Sequence, residues 1–116
     1  MSEEAFAIPK EQIRQLVPPM GWCVATDSIM VDGREIGYMY REAPDEDGDS
    51  GWRFLTGGES QEYINDLEHF GLYAVNTVAN YDPDIVPYLD VPPPCAYGKI
   101  AGSHEFQEED PSACAT

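Results

Sequence analysis

Hydrophobic positions along this chain form short runs, and most of these runs follow strand rather than helix spacing. The run from Gly21 to Val31 is rich in strand-forming residues, and Asp32–Gly33 separates it from a second run, Arg34 to Arg41. Because Asp-Gly suits the tight turn between antiparallel strands, the pattern predicts a hairpin. One face of the second strand is expected to be buried, with the side chains of Ile36, Tyr38 and Tyr40.

Three further stretches are predicted to be strands. Trp52 to Thr56 is expected to place Trp52 and Phe54 on one face and Arg53 on the other. Phe70 to Ala79 alternates and is rich in β-branched residues, which favours a strand, with a helix as the alternative. Cys95 to Ile100 is predicted to be a last strand at a sheet edge.

Short helices are predicted between these strands. Pro9 to Val17 has an apolar stripe and a proline in its first turn, and Glu59 to Leu67 has Ser60 as a potential cap. Asp82 followed by Pro83 indicates another helix start, with the aspartate as N-cap. The expected fold class is α+β, a small, mostly antiparallel sheet of about four to five strands with two to three short helices.

The domain organisation follows from the same pattern. Residues 1–20 form an N-terminal segment with a short helix, residues 21–101 a single α+β domain, and residues 102–116 an acidic, flexible tail. No apolar run reaches membrane-spanning length, and MSEEAFAIPK lacks the basic start of a signal peptide. We therefore expect a cytoplasmic protein.

Charge changes this picture most. The 22 acidic residues outnumber the 6 basic ones and give a net charge of -16. Six basic residues are too few to neutralise a phosphate backbone, and we therefore expect no nucleic acid partner. Binding to an anionic membrane is disfavoured for the same reason. The acidity indicates either simple solubility or a partner with a basic surface.

Metal, cofactor and nucleophile chemistry finds little support in the residue pattern. The acidic loop around Asp45, Asp47 and Asp49 resembles the start of a calcium loop, but Ser50 and Thr56 occupy positions that need glycine and glutamate. The two histidines and three cysteines lack metal-ligand spacing, and Cys23 is more typical of a buried small residue than of a nucleophile. We expect no catalytic residues, no metal and no cofactor.

The basic residues beside the acidic loop are the more informative charges. Arg41 and Arg53 lie in strands expected to pair, so Glu42, Asp47 or Asp49 can bind them as bidentate partners and fix the loop to the sheet. The alternative is a surface that binds a partner, since tryptophan and arginine are enriched in interface hot spots. The candidate partner-binding residues are Arg41, Asp45, Asp47, Asp49, Trp52 and Arg53.

Four motifs carry a resemblance to a known family: G-Y-M-Y-R-E at Gly37–Glu42, D-S-G-W-R-F at Asp49–Phe54, G-G-E at Gly57–Glu59 and N-Y-D-P at Asn80–Pro83. Together they resemble bacterial immunity-protein family thirty-three of polymorphic toxin systems, formerly a domain of unknown function, over roughly Trp22 to Ala96. The resemblance implies a small α+β domain that neutralises a toxin encoded beside it.

Three functions follow as hypotheses. The first is a non-enzymatic binding protein that neutralises a basic toxin effector through the anionic loop and its flanking residues. The second is a small-ligand or enzymatic domain with Arg41 and Asp49 in a pocket lined by aromatic residues, namely Tyr38, Tyr40, Trp52 and Tyr81. In the third, the motif residues serve only the fold.

Overall fold

The computed structural model describes Ile8, residues 10–44 and residues 47–109. The strands are β1 (Trp22–Thr26), β2 (Tyr38–Arg41), β3 (Asp49–Leu55), β4 (Phe70–Ala74), β5 (Cys95–Lys99) and β6 (Phe106–Glu109). The α-helices are α1 (Asp27–Met30), α2 (Gln61–Asn65) and α3 (Val75–Tyr81), and the 3-10 helices are Lys10–Gln12, Leu67–His69 and Pro83–Tyr88.

All six strands form one sheet in the order β4-β1-β3-β2-β5-β6. Four of the neighbouring pairs are antiparallel, and β1 with β3 is parallel. The predicted α+β class with a mostly antiparallel sheet is confirmed, with one strand more than the predicted upper number. The extra strand comes from the C-terminal region, where Phe106–Glu109 pairs with β5 in the stretch that was expected to be a flexible tail.

The predicted hairpin around Asp32–Gly33 is wrong. The first run ends as a strand at Thr26 and continues as α1, whose Ile29 and Met30 are buried. Gly33 then ends this helical turn, with its amide donating to the carbonyl of Ile29 at 3.1 Å and a φ of 77°. Because β3 lies between β1 and β2, the two runs never pair.

The buried face of β2 also differs from the prediction. Ile36 is fully buried as predicted, but Met39 is fully buried as well, whereas Tyr38 and Tyr40 are only half-buried. Met39 lies opposite Phe54 of β3, and Phe54 shares a face with Trp52, as predicted for those two side chains. Packing on β3 therefore decided the orientation of β2, which alternation within the strand could not indicate.

Other elements were predicted with partial success. The N-terminal helix is only the 3-10 turn Lys10–Gln12, and its expected first residue, Pro9, lies outside the described residues. Phe70 to Ala79 splits into strand β4 and helix α3, so each alternative holds for half of it. β5 is confirmed as a strand but is not at an edge, because β6 covers it.

Both predicted helix caps are confirmed. The hydroxyl of Ser60 accepts from the amide of Tyr63 at 3.1 Å at the start of α2. The carboxylate of Asp82 accepts from the amide of Asp84 at 3.2 Å at the start of the 3-10 helix Pro83–Tyr88.

A single hydrophobic cluster joins the sheet to the helices that cover it. Cys23 and Ala25 of β1, Trp52 and Phe54 of β3 and Val78 of α3 are each at most 1% exposed. This core fixes β3 at the centre of the sheet, and the acidic loop lies at the strand's N-terminal end.

Candidate functional site

The strongest polar contact beside the acidic loop is an ion pair within β3. The guanidinium of Arg53 donates from Nη1 to Asp49 Oδ1 at 3.0 Å and from Nη2 to Asp49 Oδ2 at 2.9 Å. Its Nε donates to Glu42 Oε2 at 2.9 Å. Hydrogen bonding to Asp49 raises the pKa of Arg53, so the guanidinium stays charged at every physiological pH. The prediction that Glu42 or Asp49 binds Arg53 is therefore confirmed, and both do so.

A bulge in β3 makes this ion pair possible. Trp22 of β1 lies opposite Asp49 and Val24 lies opposite Arg53, so β3 uses four residue steps where β1 uses two. Gly51 absorbs the extra length with a φ of 88°, and a Cβ there would collide with the carbonyl oxygen of Glu42. The D-S-G-W-R-F motif thus requires its glycine for backbone geometry.

The carboxylate of Asp49 also closes the bulge locally. Its Oδ1 accepts from the amide of Gly51 at 2.8 Å, and the hydroxyl of Ser50 accepts from the amide of Trp52 at 3.1 Å. Both side chains thus bind backbone amides of the irregular strand itself. Together with Glu42, which accepts from Arg53 Nε, they form one polar cluster around Arg53.

Arg41 has a different role from the one predicted, because its contacts go to carbonyl oxygens. Its Nε donates to the carbonyl of Ser50 at 2.9 Å, and its Nη1 donates to the carbonyl of Val91 at 2.8 Å. Its guanidinium also lies 5.6 Å from the ring centroid of Trp52. Arg41 thus connects the bulge of β3 to the segment that precedes β5.

The candidate partner-binding residues differ in burial, and Arg41 is half-buried. Asp49 and Arg53 are 6% and 7% exposed, and Trp52 is fully buried, with its Nε1 donating to the carbonyl of Leu89. These three side chains form the interior of the site. Trp52 is therefore not exposed for contact with a partner. Asp47 is exposed and Asp45 lies outside the described residues.

Glu59 is an organising residue that the residue pattern did not indicate as such. Its Oε2 accepts from the hydroxyl of Thr26 at 3.0 Å and from the amide of Thr56 at 2.9 Å, and its Oε1 accepts from the amide of Gly57. Burial alone would raise the pKa of this carboxyl, but the hydrogen bonds from Thr56 and Thr26 hold it below its usual value. The G-G-E motif thus joins β3 to the end of β1.

A second unpredicted centre forms around Lys99. Its ammonium lies 2.7 Å from Asp82 Oδ2, 3.2 Å from Asp84 Oδ2 and 3.3 Å from Glu35 Oε1. Burial would lower the pKa of Lys99, but the hydrogen bond to Asp82 raises it above its usual value. Asp82 also accepts from the amide of Ile36 at 3.0 Å, so it serves as helix cap and tertiary link at once.

A cleft of about 420 Å³ lies away from the residues of the pocket hypothesis. Its lining includes Glu35, Lys99, Ser103 and His104, not the predicted aromatic side chains. Within residues 8, 10–44 and 47–109, no three histidine, cysteine, aspartate or glutamate side chains are grouped as metal ligands.

The candidate nucleophile is poorly suited to that role. Cys23 is fully buried, and its Sγ lies 3.3 Å from the carbonyl oxygen of Tyr73. Burial strongly raises the pKa of the Cys23 thiol, although the charge of Arg53 opposes the shift. Little of this thiol ionises at neutral pH, so the side chain acts as a small core residue.

A comparison with protein-family models decides the family. Residues 23–110 match the model described as the Immunity protein Imm33 domain. The chain belongs to the Imm33 immunity protein family. No curated protein and no solved structure gave a significant match.

The Imm33 match spans most of the sheet, including β6, which lies outside the stretch covered by the sequence resemblance. In this Imm33 domain the four motifs contribute Glu42 and the other groups that bind Arg53, the bulge of β3, the Glu59 link and the Asp82 cap. Among the described residues, none of the helices combines the length and apolar character that crossing a bilayer requires.

Proposed function

We propose that this chain is a non-enzymatic immunity protein that neutralises a toxin effector by binding it. The observation that carries the proposal is the Imm33 match over residues 23–110, because immunity proteins act on toxins. We propose further that the toxin is basic, that the system is a bacterial polymorphic toxin system and that binding occurs in the cytoplasm. The net charge of -16 supports a basic partner, since opposite fields accelerate and orient association.

The proposed binding surface is the acidic loop, with Asp45 and Asp47 as its carboxylates. Glu42 adds a carboxylate whose side chain is half exposed at 50%, although one of its oxygens accepts from Arg53. The buried Asp49, Trp52 and Arg53 hold both ends of the loop in place rather than contacting the partner. Such preorganisation lowers the entropy cost of ordering a charged loop on binding.

A charge-reversal experiment tests this surface. Asp45→Lys with Asp47→Lys would be compared with Asp32→Lys with Glu105→Lys, which changes the net charge equally at exposed positions outside the loop. Association with the toxin domain encoded beside this chain would be measured at low and high salt. We expect the loop variant to associate roughly tenfold more slowly at low salt and the control to change much less.

The outcomes separate the surface from the function. If association slows equally in both variants, the effect comes from the net charge of the chain, and the loop is rejected as the binding site. Failure of the wild-type chain both to bind this toxin domain and to protect cells that express it would reject the proposed function. A toxin whose association ignores salt would contradict the basic character of the partner.

A further inference from the structure

The N-terminal arm, Ile8 and residues 10–17, lies along α3 and is bound there by side chains of the helix. Asn80 accepts from the amide of Arg14 at 2.9 Å and donates to the carbonyl of the same residue at 2.8 Å. Asn76 accepts from the amides of Leu16 at 2.6 Å and Val17 at 3.1 Å. The arm is therefore bound by a pair of carboxamides spaced one helical turn apart.

Three further hydrogen bonds extend this row of contacts. Asn76 also donates to the carbonyl of Arg14 at 2.8 Å. Near the start of the arm, the hydroxyl of Tyr81 accepts from the amide of Ile8 at 3.1 Å and lies 3.3 Å from the carbonyl oxygen of Ile8. The three side chains form the arm site, which is defined as Asn76, Asn80 and Tyr81.

Every one of these hydrogen bonds goes to a backbone atom of the arm. An asparagine carboxamide offers both a donor and an acceptor, which matches the alternating groups of an extended polypeptide. Positions 76 and 80 lie on the same helix face because four residues make about one turn. The side chains of the arm site therefore recognise the backbone of the arm, and Val17 is a position at which the arm also buries a side chain.

The arm contributes little to the core that it covers. Where the burial of the arm is described, Val17 is buried at 8% exposure and Ile8 and Ile13 are half-buried, whereas Leu16 is 41% exposed. A segment with so little apolar burial can detach without global unfolding. Pro18 and Pro19 follow directly and stiffen the junction with the domain.

The family match includes the arm site but not the arm. The Imm33 match begins at residue 23, so the arm lies outside it, whereas all three residues of the arm site lie inside it. We propose that the arm site is a binding site for extended polypeptide, which the chain's own arm occupies and from which the arm can detach. The occupant in trans is an extended segment of a partner protein with an apolar side chain at the position of Val17. This inference does not depend on the toxin partner proposed above.

The test uses a fluorescent peptide with the sequence of residues 8–20 and the full-length chain. Leu16→Pro removes the amide that donates to Asn76 and weakens the chain's own arm, whereas Leu16→Ala shortens the same side chain but keeps that amide. Because the arm in cis competes with the peptide, its release raises the apparent affinity. We expect Leu16→Pro to bind the peptide at least about tenfold more tightly than Leu16→Ala or the wild type.

A second pair of substitutions places the binding on α3. Asn76→Ala with Asn80→Ala, added to Leu16→Pro, is expected to abolish peptide binding. If the peptide still binds that variant, the assignment of the arm site to Asn76 and Asn80 is wrong. If the peptide binds Leu16→Pro and Leu16→Ala equally, or binds neither, the arm in cis does not compete with it. Hydrogen exchange gives an independent measurement. The amides of Leu16 and Val17 are expected to exchange well before that of Ala25 in the core, and exchange of all three at one rate would show that the arm cannot detach.

Discussion

Asp49 and Arg53 lie four residues apart on the same strand, yet their side chains form a bidentate ion pair, with Arg53 Nη2 2.9 Å from Asp49 Oδ2. In a regular strand their Cα atoms would be separated by about 13 Å, because each residue advances the chain by about 3.3 Å. The bulge at Gly51 shortens the path, because the four residue steps from Asp49 to Arg53 lie beside only two steps of β1. The ion pair therefore depends on a distorted backbone, and it holds that distortion in turn.

Replacing Arg53 by alanine tests how much of the fold depends on this pair. The carboxylate of Asp49, which is fully buried, would lose its charged partner, and breaking a buried pair in this way costs about 3–5 kcal/mol. We expect a loss of that size in the free energy of unfolding, measured by urea denaturation. Arg34→Ala, at an exposed arginine, is the control and should change stability by less than about 0.5 kcal/mol.

The same variant separates an architectural role from a binding role. If Arg53→Ala is destabilised but still binds the toxin with wild-type affinity below its melting temperature, Arg53 serves the fold alone. If its unfolding free energy equals that of the wild type, the bulge of β3 stands without the buried ion pair, and the dependence of the backbone on Arg53 is wrong.

Gly51→Ala is expected to be more damaging than the same change at another glycine of positive φ. A φ of 88° is strained for alanine, and its Cβ would collide with the carbonyl oxygen of Glu42. Gly102, with a φ of 76° and no atom within 4 Å of an added Cβ, is the matched control. Gly102→Ala should cost about 1–2 kcal/mol from backbone strain alone, and Gly51→Ala clearly more by thermal or urea unfolding. Equal losses would mean that the bulge tolerates a side chain.

Glu59 makes stability depend on pH in a defined direction. Because its folded pKa lies below its ordinary value, the unfolded state takes up a proton first as the pH falls. The stability that Glu59 contributes is therefore fully present above the unfolded pKa of about 4.3 and is lost as the pH falls through the folded pKa. Glu59→Gln should be less stable than the wild type at pH 7, and the difference should shrink towards acid.

The difference in unfolding free energy between the wild type and Glu59→Gln removes the effect of the other carboxylates. With a net charge of -16, acidification also relieves repulsion between acidic residues, and that effect is nearly the same in wild type and variant. A difference in unfolding free energy that stays constant from neutral to acid pH would show that Glu59 gains no net stabilisation from its hydrogen bonds as an anion.

The buried cysteines are expected to resist thiol reagents. Burial raises the pKa of both Cys23 and Cys95, and the reactive thiolate is scarce at neutral pH. In a Cys114→Ser background, which removes the third cysteine, the folded chain should release almost no chromophore from a disulfide reagent, and the urea-unfolded chain should react at both thiols. Rapid labelling of Cys23 in the folded state would revive the nucleophile hypothesis.

Local rules in the sequence were enough for the helix caps and for the pairing of Trp52 with Phe54. Ser60 and Asp82 bind amides within a few residues of themselves, so neighbouring positions decide these contacts. The ion pairs of Arg53 were also predictable, since Glu42 and Asp49 are close to it along the paired strands and a guanidinium matches carboxylate geometry. The family resemblance rested on the same short-range motifs.

Tertiary packing decided the rest. The run after Thr26 has strand-forming residues, but it forms α1, which buries Ile29 and Met30, and the parallel β3 lies beside β1. Whether Met39 or the tyrosines of β2 faced the core depended on a neighbour that is distant in sequence.

The acidic loop shows both the contribution of the sequence and that of tertiary packing. Its composition predicted exposure, because carboxylates without partners cannot be buried at acceptable cost. Only the fold decided that Asp49, Trp52 and Arg53 belong to the interior and Asp47 to the surface. The physical reason is that burial is a property of the assembled sheet, and the bulge at Gly51 sets which side chains of β3 reach it.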